Sequence, residues 1–248
     1  YAAIMPAMYL PVIVMLLALI FRGVSFEFRE VAKVGQRRWD YTFAGGSMVA
    51  AFAQGVILGG LLQGVTLVDG RFAGGPFDWL SPFSLMCGLG LVGGYALLGA
   101  TWLIFRTEGS LQEYSRRQAR ILLVVVLAFI GLVSLWTPLA IDGIAARWFS
   151  TPNIYFLWPV PFLTALLALM VWRGLAARRE VTPFAGSVAI FLLCYLGLGI
   201  SVFPYIVPPS MTVVDAAAVP ASQIFSLIGV VFMLPVILGY TGFVYWTF

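Results

Sequence analysis

Residues 2–30 of the chain read AAIMPAMYLPVIVMLLALIFRGVSFEFRE: twenty uncharged positions, 2–21, followed at once by Arg22, Glu27, Arg29 and Glu30. A helix needs roughly 20 apolar residues to cross the hydrocarbon core of a bilayer. Lipid offers no partner for an open backbone amide, so a helix is the form such a run takes. The run predicts a membrane span, and its charged tail predicts where that span meets water. No basic segment precedes it, as one would in a secretory signal, so a retained helix is expected. Because the first residue is Tyr1, the chain is read as a piece of a longer protein, truncated at the amino terminus.

The pattern recurs along the whole sequence. Seven uncharged segments stand out, at 2–21, 41–65, 81–105, 121–141, 155–172, 184–207 and 223–246, with 155–172 the shortest. Hydrophobic residues make up 62% of the chain and charged residues 10%, against about a quarter charged in soluble domains. The fold class is therefore all-α, a polytopic membrane helix bundle forming a single transmembrane domain over 1–248.

Every one of the 14 Lys and Arg residues lies between the segments. Loops 22–40, 106–120 and 173–183 hold 12 of them, and the alternate loops hold only Arg71 and Arg147. That asymmetry predicts a start outside the cell and a cytoplasmic end. It also removes nucleic acid as a partner, because the basic loops face anionic lipid headgroups. Trp39, Tyr41, Trp79, Trp102, Trp136, Tyr155, Trp158, Trp172, Tyr245 and Trp246 sit near the segment ends, where aromatic rings anchor helices at the interface.

Local signals add detail. Ser110 and Glu113 have the spacing of a capping box, which would start the fourth span near Ser110 and set Glu113 one turn from Arg117. Gly55 with Gly59, Gly60 with Gly64, and Gly90 with Gly94 place small residues four apart, as close helix approach in lipid requires. Gln54 and Gln63 are intramembrane polar candidates, read as interhelical hydrogen-bonding groups ahead of a ligand site. The prolines at 6, 11, 138, 159, 161, 204 and 235 are expected to kink or end helices in an otherwise tight bundle. Cys87 and Cys194, both inside apolar segments, are read as packing residues.

Chemistry is thin. The chain has no histidine, the usual axial ligand of haem and the commonest ligand of zinc or copper, so neither metal nor haem ligands are expected in it. Its one lysine, Lys33, lies in a loop, which excludes a retinal Schiff base within the bundle. No Asp, Glu, Lys or Arg falls inside the seven segments. A charge at the bilayer centre costs about 2.5–3.5 kcal/mol on insertion scales and is kept when a pump needs it. The ionisable groups stop at the segment ends, at Arg22, Asp40, Arg106 and Asp142. Such a chain reads as a subunit with no catalytic residues of its own.

Several stretches, taken together and in order, resemble subunit II of cytochrome bd-type quinol oxidases, including the cyanide-insensitive branch. They are ALIFRGVSFEFR (18–29), RRWD (37–40), GGLLQGV (59–65), FDWLSPFSLMCGLG (77–90), LLGATWLIFRTEG (97–109), SVFPYIVPPSMTVVDAA (201–217) and VILGYTGFVYW (236–246). The resemblance implies a bacterial cytoplasmic-membrane enzyme that oxidises a quinol and reduces dioxygen to water. It implies two b-type haems and a haem d in the partner subunit I, and no cofactor on this chain except, as a candidate, a structural quinone. Membrane lipids and a small third subunit complete the implied partners. The seven segments would be the third to ninth of a nine-helix subunit.

By the same resemblance, Arg22 matches a position beside a route proposed to carry protons toward the haems, whose acidic members come from helices this chain lacks. Snorkelling to the headgroups is the plain alternative for Arg22. Glu27 and Arg29 are candidates for a salt bridge or a subunit contact, as is Asp215, although the alanines after Asp215 depart from the family pattern. Leu98 stands where other members often have a polar residue. A competing function, from another class, is a secondary transporter or channel for a small neutral substrate.

Overall fold

A computed structural model of the chain describes residues 4–32, 34–68, 70–140, 142–151 and 153–247; Tyr1 and Lys33 lie outside them. Helix α1 (Ile4–Val31) continues ten residues past the apolar run, so Arg22, Glu27, Arg29 and Glu30 ride on a helix and not in a loop. Gly35, in the left-handed region at φ 86, reverses the chain into α2 (Gln36–Gln63). The first basic loop of the sequence thus shrinks to residues 32–35. It could be so short because Arg, Glu and Phe are adequate helix formers once outside lipid.

At the other end of α2, Gly64 (φ 89) stops the helix, and a two-residue hairpin follows: β1 (Leu67–Val68) against β2 (Arg71–Phe72), with Gly70 at its turn. Helix α3 (Pro82–Arg106) begins with Pro82 in its first turn and Ser81 as N-cap. A capping box is present here, formed by Ser81 and Ser84, each side chain bonded to the other's backbone N–H. The one expected at Ser110 and Glu113 is not what forms: α4 (Gly109–Ala140) starts at Gly109, which places Ser110 inside the first turn. The helix begins next to Ser110, as the sequence predicts, but without that capping box.

The segment expected at 155–172 is interrupted. A short helix α5 (Asp142–Phe149) leads to α6 (Asn153–Leu157) and then to α7 (Pro159–Ala176), with a break at Trp158 where Pro159 and Pro161 cannot donate backbone bonds. The stretch Asn153–Ala176 is still long and apolar enough to span a bilayer. Helix α8 (Val181–Val202) returns, a second hairpin pairs β3 (Tyr205–Val207) with β4 (Met211–Thr212), and α9 (Pro220–Thr247) closes the chain. Among the described residues, seven helical stretches are thus long and apolar enough to cross a membrane, and the protein is a multi-pass membrane bundle.

Two packing centres organise it. Helices α3, α4, α7 and α8 form a ring, each touching the next, around an aliphatic core of Leu97, Ile104, Leu123, Val171, Leu175 and Ile190. Helices α1 and α2 pair beside this ring and join it through α3. In lipid the apolar effect does not favour helix association, so close backbone contact must do so. It does at the α2–α3 seam, where a Cβ on Gly55 would lie 2.6 Å from the Cys87 carbonyl oxygen and one on Gly59 2.6 Å from Ser84 Cα.

Gly64 departs from the expected pairing with Gly60. It is the cap of α2, and its backbone meets the Pro208 carbonyl of the second hairpin. That hairpin packs Val207 and Met211 onto Ala7, Met8 and Val65, closing one end of the α1–α2 pair. The bundle is not tight throughout, since α9 buries none of its residues.

Candidate functional site

Six residues were singled out by the sequence: Arg22, Glu27, Arg29, Gln54, Gln63 and Asp215. They fall in four separate places.

The first is the basic end of α1 and α2. Arg22 is exposed on α1, with its guanidinium 5.4 Å from the centre of the Phe43 ring on α2. Close approach of the helices sets this contact, because Gly46 admits the Arg22 backbone; a Cβ there would lie 3.2 Å from the Arg22 nitrogen. Two turns on, Arg29 Nε donates to Asp40 Oδ1 across the helix pair, with both side chains about half exposed (51% and 50%). Phe28 stacks on Trp39 beside them, ring centres 5.3 Å apart. Glu27 is exposed and outside this ion pair. A surface groove lined by Val34, Gly35, Arg38, Trp39 and Thr42 lies at the turn.

Gln54 and Gln63 occupy opposite sides of α2, since nine residues at 100° each amount to two and a half turns. Gln54 Oε1 accepts from the Tyr95 hydroxyl of α3 at 3.2 Å, and Tyr95 stacks on Phe191 of α8. Gln63 Oε1 accepts from the Ser81 hydroxyl, joining it to the capping box of α3. Each glutamine therefore bonds across the α2–α3 seam, and the two do not line one path.

Asp215 belongs to the turn after β4. Its carboxylate accepts from the Thr212 hydroxyl at 2.6 Å and the Thr212 N–H at 3.2 Å. These two bonds, the hydroxyl foremost, hold its pKa below the usual aspartate value.

Sequence spacing missed a fifth cluster at the joined ends of α4, α7 and α8. Arg116 is 2% exposed, and its Nη1 donates to the Arg179 carbonyl at 3.1 Å. Arg120 Nη2 donates to the Leu175 carbonyl at 3.2 Å. Arg120 thus meets a C-terminal carbonyl of α7, where a helix end favours cations, and Arg116 meets the turn between α7 and α8. The sequence sets Glu113 one turn from Arg117 on the same helix face, but Arg117 is not its partner. Glu113 instead lies 4.0 Å from Arg116 Nε and 3.4 Å from Arg178 Nη2. Arg178 holds φ 55, the left-handed position after a helix, and Arg179 N–H closes the turn on the Gly174 carbonyl at 2.9 Å. No spacing rule could have found pairs separated by 63 and 55 residues.

The interior of the ring offers little to a cofactor. Thr101, Thr164 and Ser187 are buried there, and each hydroxyl donates to a carbonyl four residues back in its own helix. No cluster of three or more His, Cys, Asp or Glu occurs among the described residues. Met8, the buried methionine among the described residues, has its thioether end against Gly60. The chain has no histidine to offer a haem as an axial ligand.

The sequence matches the family model for cytochrome bd terminal oxidase subunit II over residues 1–248. It is similar to the cytochrome bd-I ubiquinol oxidase subunit 2 of Escherichia coli (strain K12), 30% identical over 99% of this chain and 74% of that protein. It is also similar to the cytochrome bd ubiquinol oxidase subunit 2 of Bacillus subtilis (strain 168), 26% identical over 100% of this chain and 74% of that protein.

Proposed function

This chain belongs to the cytochrome bd terminal oxidase subunit II family, and from that premise we propose that it is the haem-free half of its oxidase. Subunit II of a bd-type quinol oxidase is part of an oxidoreductase complex that carries haem, and the transporter reading gives way to it. The proposal concerns where the haems lie: two b-type haems and haem d on a partner subunit I, none on this chain. One observation carries it, the absence of histidine from a chain whose described core is filled by aliphatic side chains and self-satisfied hydroxyls.

The role that follows is structural and electrostatic. The chain gives the haem-bearing subunit a partner surface, and residues 1–248 act as one transmembrane domain. Its membrane is the bacterial cytoplasmic membrane, with the basic end of the bundle facing the cytoplasm; the placement of 12 of 14 basic residues supports that orientation. Membrane lipids, a quinone and a small third subunit complete the proposed partners.

Arg22 is proposed as a proton-path residue. Its support is its place at the end of the apolar run, its exposure, and a contact with an aromatic face in place of a carboxylate. A cation there would hold negative charge and water at the mouth of a route without itself releasing a proton. Glu27, Arg29 and Asp215 are proposed as subunit contacts, in addition to the bonds Arg29 and Asp215 make within the chain.

The experiment is a tag on this chain, purification from its native membrane in mild detergent, and a reduced-minus-oxidised spectrum. Haem b and haem d bands travelling with the tag are expected. A stable, haem-free bundle with no partner would overturn the reading. In the same preparation Arg22→Ala should lower quinol oxidase turnover while leaving the bands in place.

A further inference from the structure

Charge is not spread evenly over the basic end of the bundle. The joined ends of α4, α7 and α8 carry six arginines, at 116, 117, 120, 173, 178 and 179, against two carboxylates, Glu113 and Glu180. This cluster alone has an excess equal to the formal net charge of +4 for the whole chain. The α1–α2 end is better balanced, with Glu27, Glu30 and Asp40 among its basic residues.

The acids present are already committed. Glu113 is shared by Arg116 and Arg178, and Glu180 Oε1 accepts from Gln112 at 3.5 Å. Arg116 is buried, its Nε has no hydrogen-bond partner, and the nearest carboxylate oxygen stands 4.0 Å away. Arg117, Arg120, Arg173 and Arg179 are exposed, and none is in an ion pair among the described residues. Depth is equally informative. Arg120 and Arg173 are the residues that immediately flank the apolar segments 121–141 and 155–172, and Trp172, 48% exposed, stands beside Arg173. Tryptophan and a bordering arginine mark the level of the lipid headgroups.

We infer that this surface binds the headgroups of anionic phospholipids, with Arg117, Arg120 and Arg173 meeting phosphate and the buried Arg116 adding to the positive potential beneath them. Basic surfaces between membrane helices recognise anionic headgroups in this way, each Lys or Arg near the surface contributing about 1 kcal/mol. An acidic soluble protein fits less well, because residues flush with the hydrocarbon boundary are reached from the membrane and not from bulk water. Arg120 also holds the end of α7 and Arg116 the turn after it, so lipid bound here would steady the α4–α7–α8 junction. The inference rests on the subunit II reading only for the complex in which it is tested.

The test uses the whole oxidase in bilayers of equal parts phosphatidylglycerol and phosphatidylcholine, followed by native mass spectrometry of the lipid retained. The wild type should retain phosphatidylglycerol preferentially. R117Q/R173Q, which leaves the Arg116 and Arg120 bonds intact, should lose that preference by about fivefold per arginine, the equivalent of about 1 kcal/mol each. R117K/R173K should restore most of it, and R37Q/R38Q, an equal charge loss on α2, should keep it. Unchanged selectivity in R117Q/R173Q, or an equal loss in R37Q/R38Q, would overturn the inference. So would loss of a co-purified polypeptide in place of the lipid. Haem content is read in the same samples: haem lost with selectivity intact would count against the subunit reading alone.

Discussion

Arg29 and Asp40, eleven residues apart in sequence, are joined Nε to Oδ1 across the turn between α1 and α2. The pair explains why charge collects directly after the first apolar run: α1 leaves the membrane as a helix, and its charged extension is fastened to the start of α2. Both side chains are about half exposed, so the bond is a surface salt bridge, worth about 0.2–1 kcal/mol. Asp40→Asn should lower the melting temperature slightly in low salt and leave it unchanged in high salt, measured by thermal unfolding in detergent at the two ionic strengths.

The α2–α3 seam is expected to be far less tolerant. A Cβ at Gly55 meets backbone atoms of Cys87 and Gly88 at 2.6–2.9 Å, and backbone cannot swing aside. Gly55→Leu should cost about 1–3 kcal/mol through overpacking. Gly131→Ala, on α4 with nothing within 4 Å, should be neutral or stabilising by up to about 1 kcal/mol. Thermal unfolding of the two variants side by side checks the contrast.

Arg116 and Arg178 lie 4.0 and 3.4 Å from the same Glu113 and are expected to behave oppositely. Arg116→Met leaves the Arg179 carbonyl without its buried donor, a loss of about 1–3 kcal/mol. Arg178→Gly removes an exposed ion pair but relieves a left-handed backbone at φ 55. It should be neutral or mildly stabilising. Chemical denaturation of both variants, followed by tryptophan fluorescence, would show the difference in sign.

Asp215 gives the second hairpin a dependence on pH. Its folded pKa is depressed by the bonds from Thr212, so the stability it contributes is complete above the unfolded aspartate value. That contribution is lost as pH falls through the lower folded value. Thr212→Val removes the hydroxyl, the larger cause, and should move the Asp215 titration back up toward the ordinary aspartate value. Carboxyl-selective NMR of the two forms measures it.

Much of this was legible in the sequence because lipid imposes simple rules. Length and absence of charge locate the spans, and Gly55 and Gly59 announce close approach by their spacing. What stayed hidden depends on which helix faces which. Nothing near Gln54 names Tyr95, 41 residues on, and nothing near Arg116 names Arg179. Local signals also misled where several solutions were open: Ser110 and Glu113 had capping-box spacing, but Gly109 began the helix and left Glu113 free for Arg178. The extension of α1 to Val31 was hidden because a helix outside lipid no longer needs an apolar pattern.

The proposed placement of the haems on the partner and not on this chain can be read out by mass. The most direct measurement is gas-phase dissociation of the intact purified oxidase, with the mass of each released polypeptide recorded. This chain should emerge at the mass of its polypeptide alone, with all haem mass remaining on the partner. Release of this chain carrying a haem would contradict the account, because its described residues would then supply a ligand that no histidine explains.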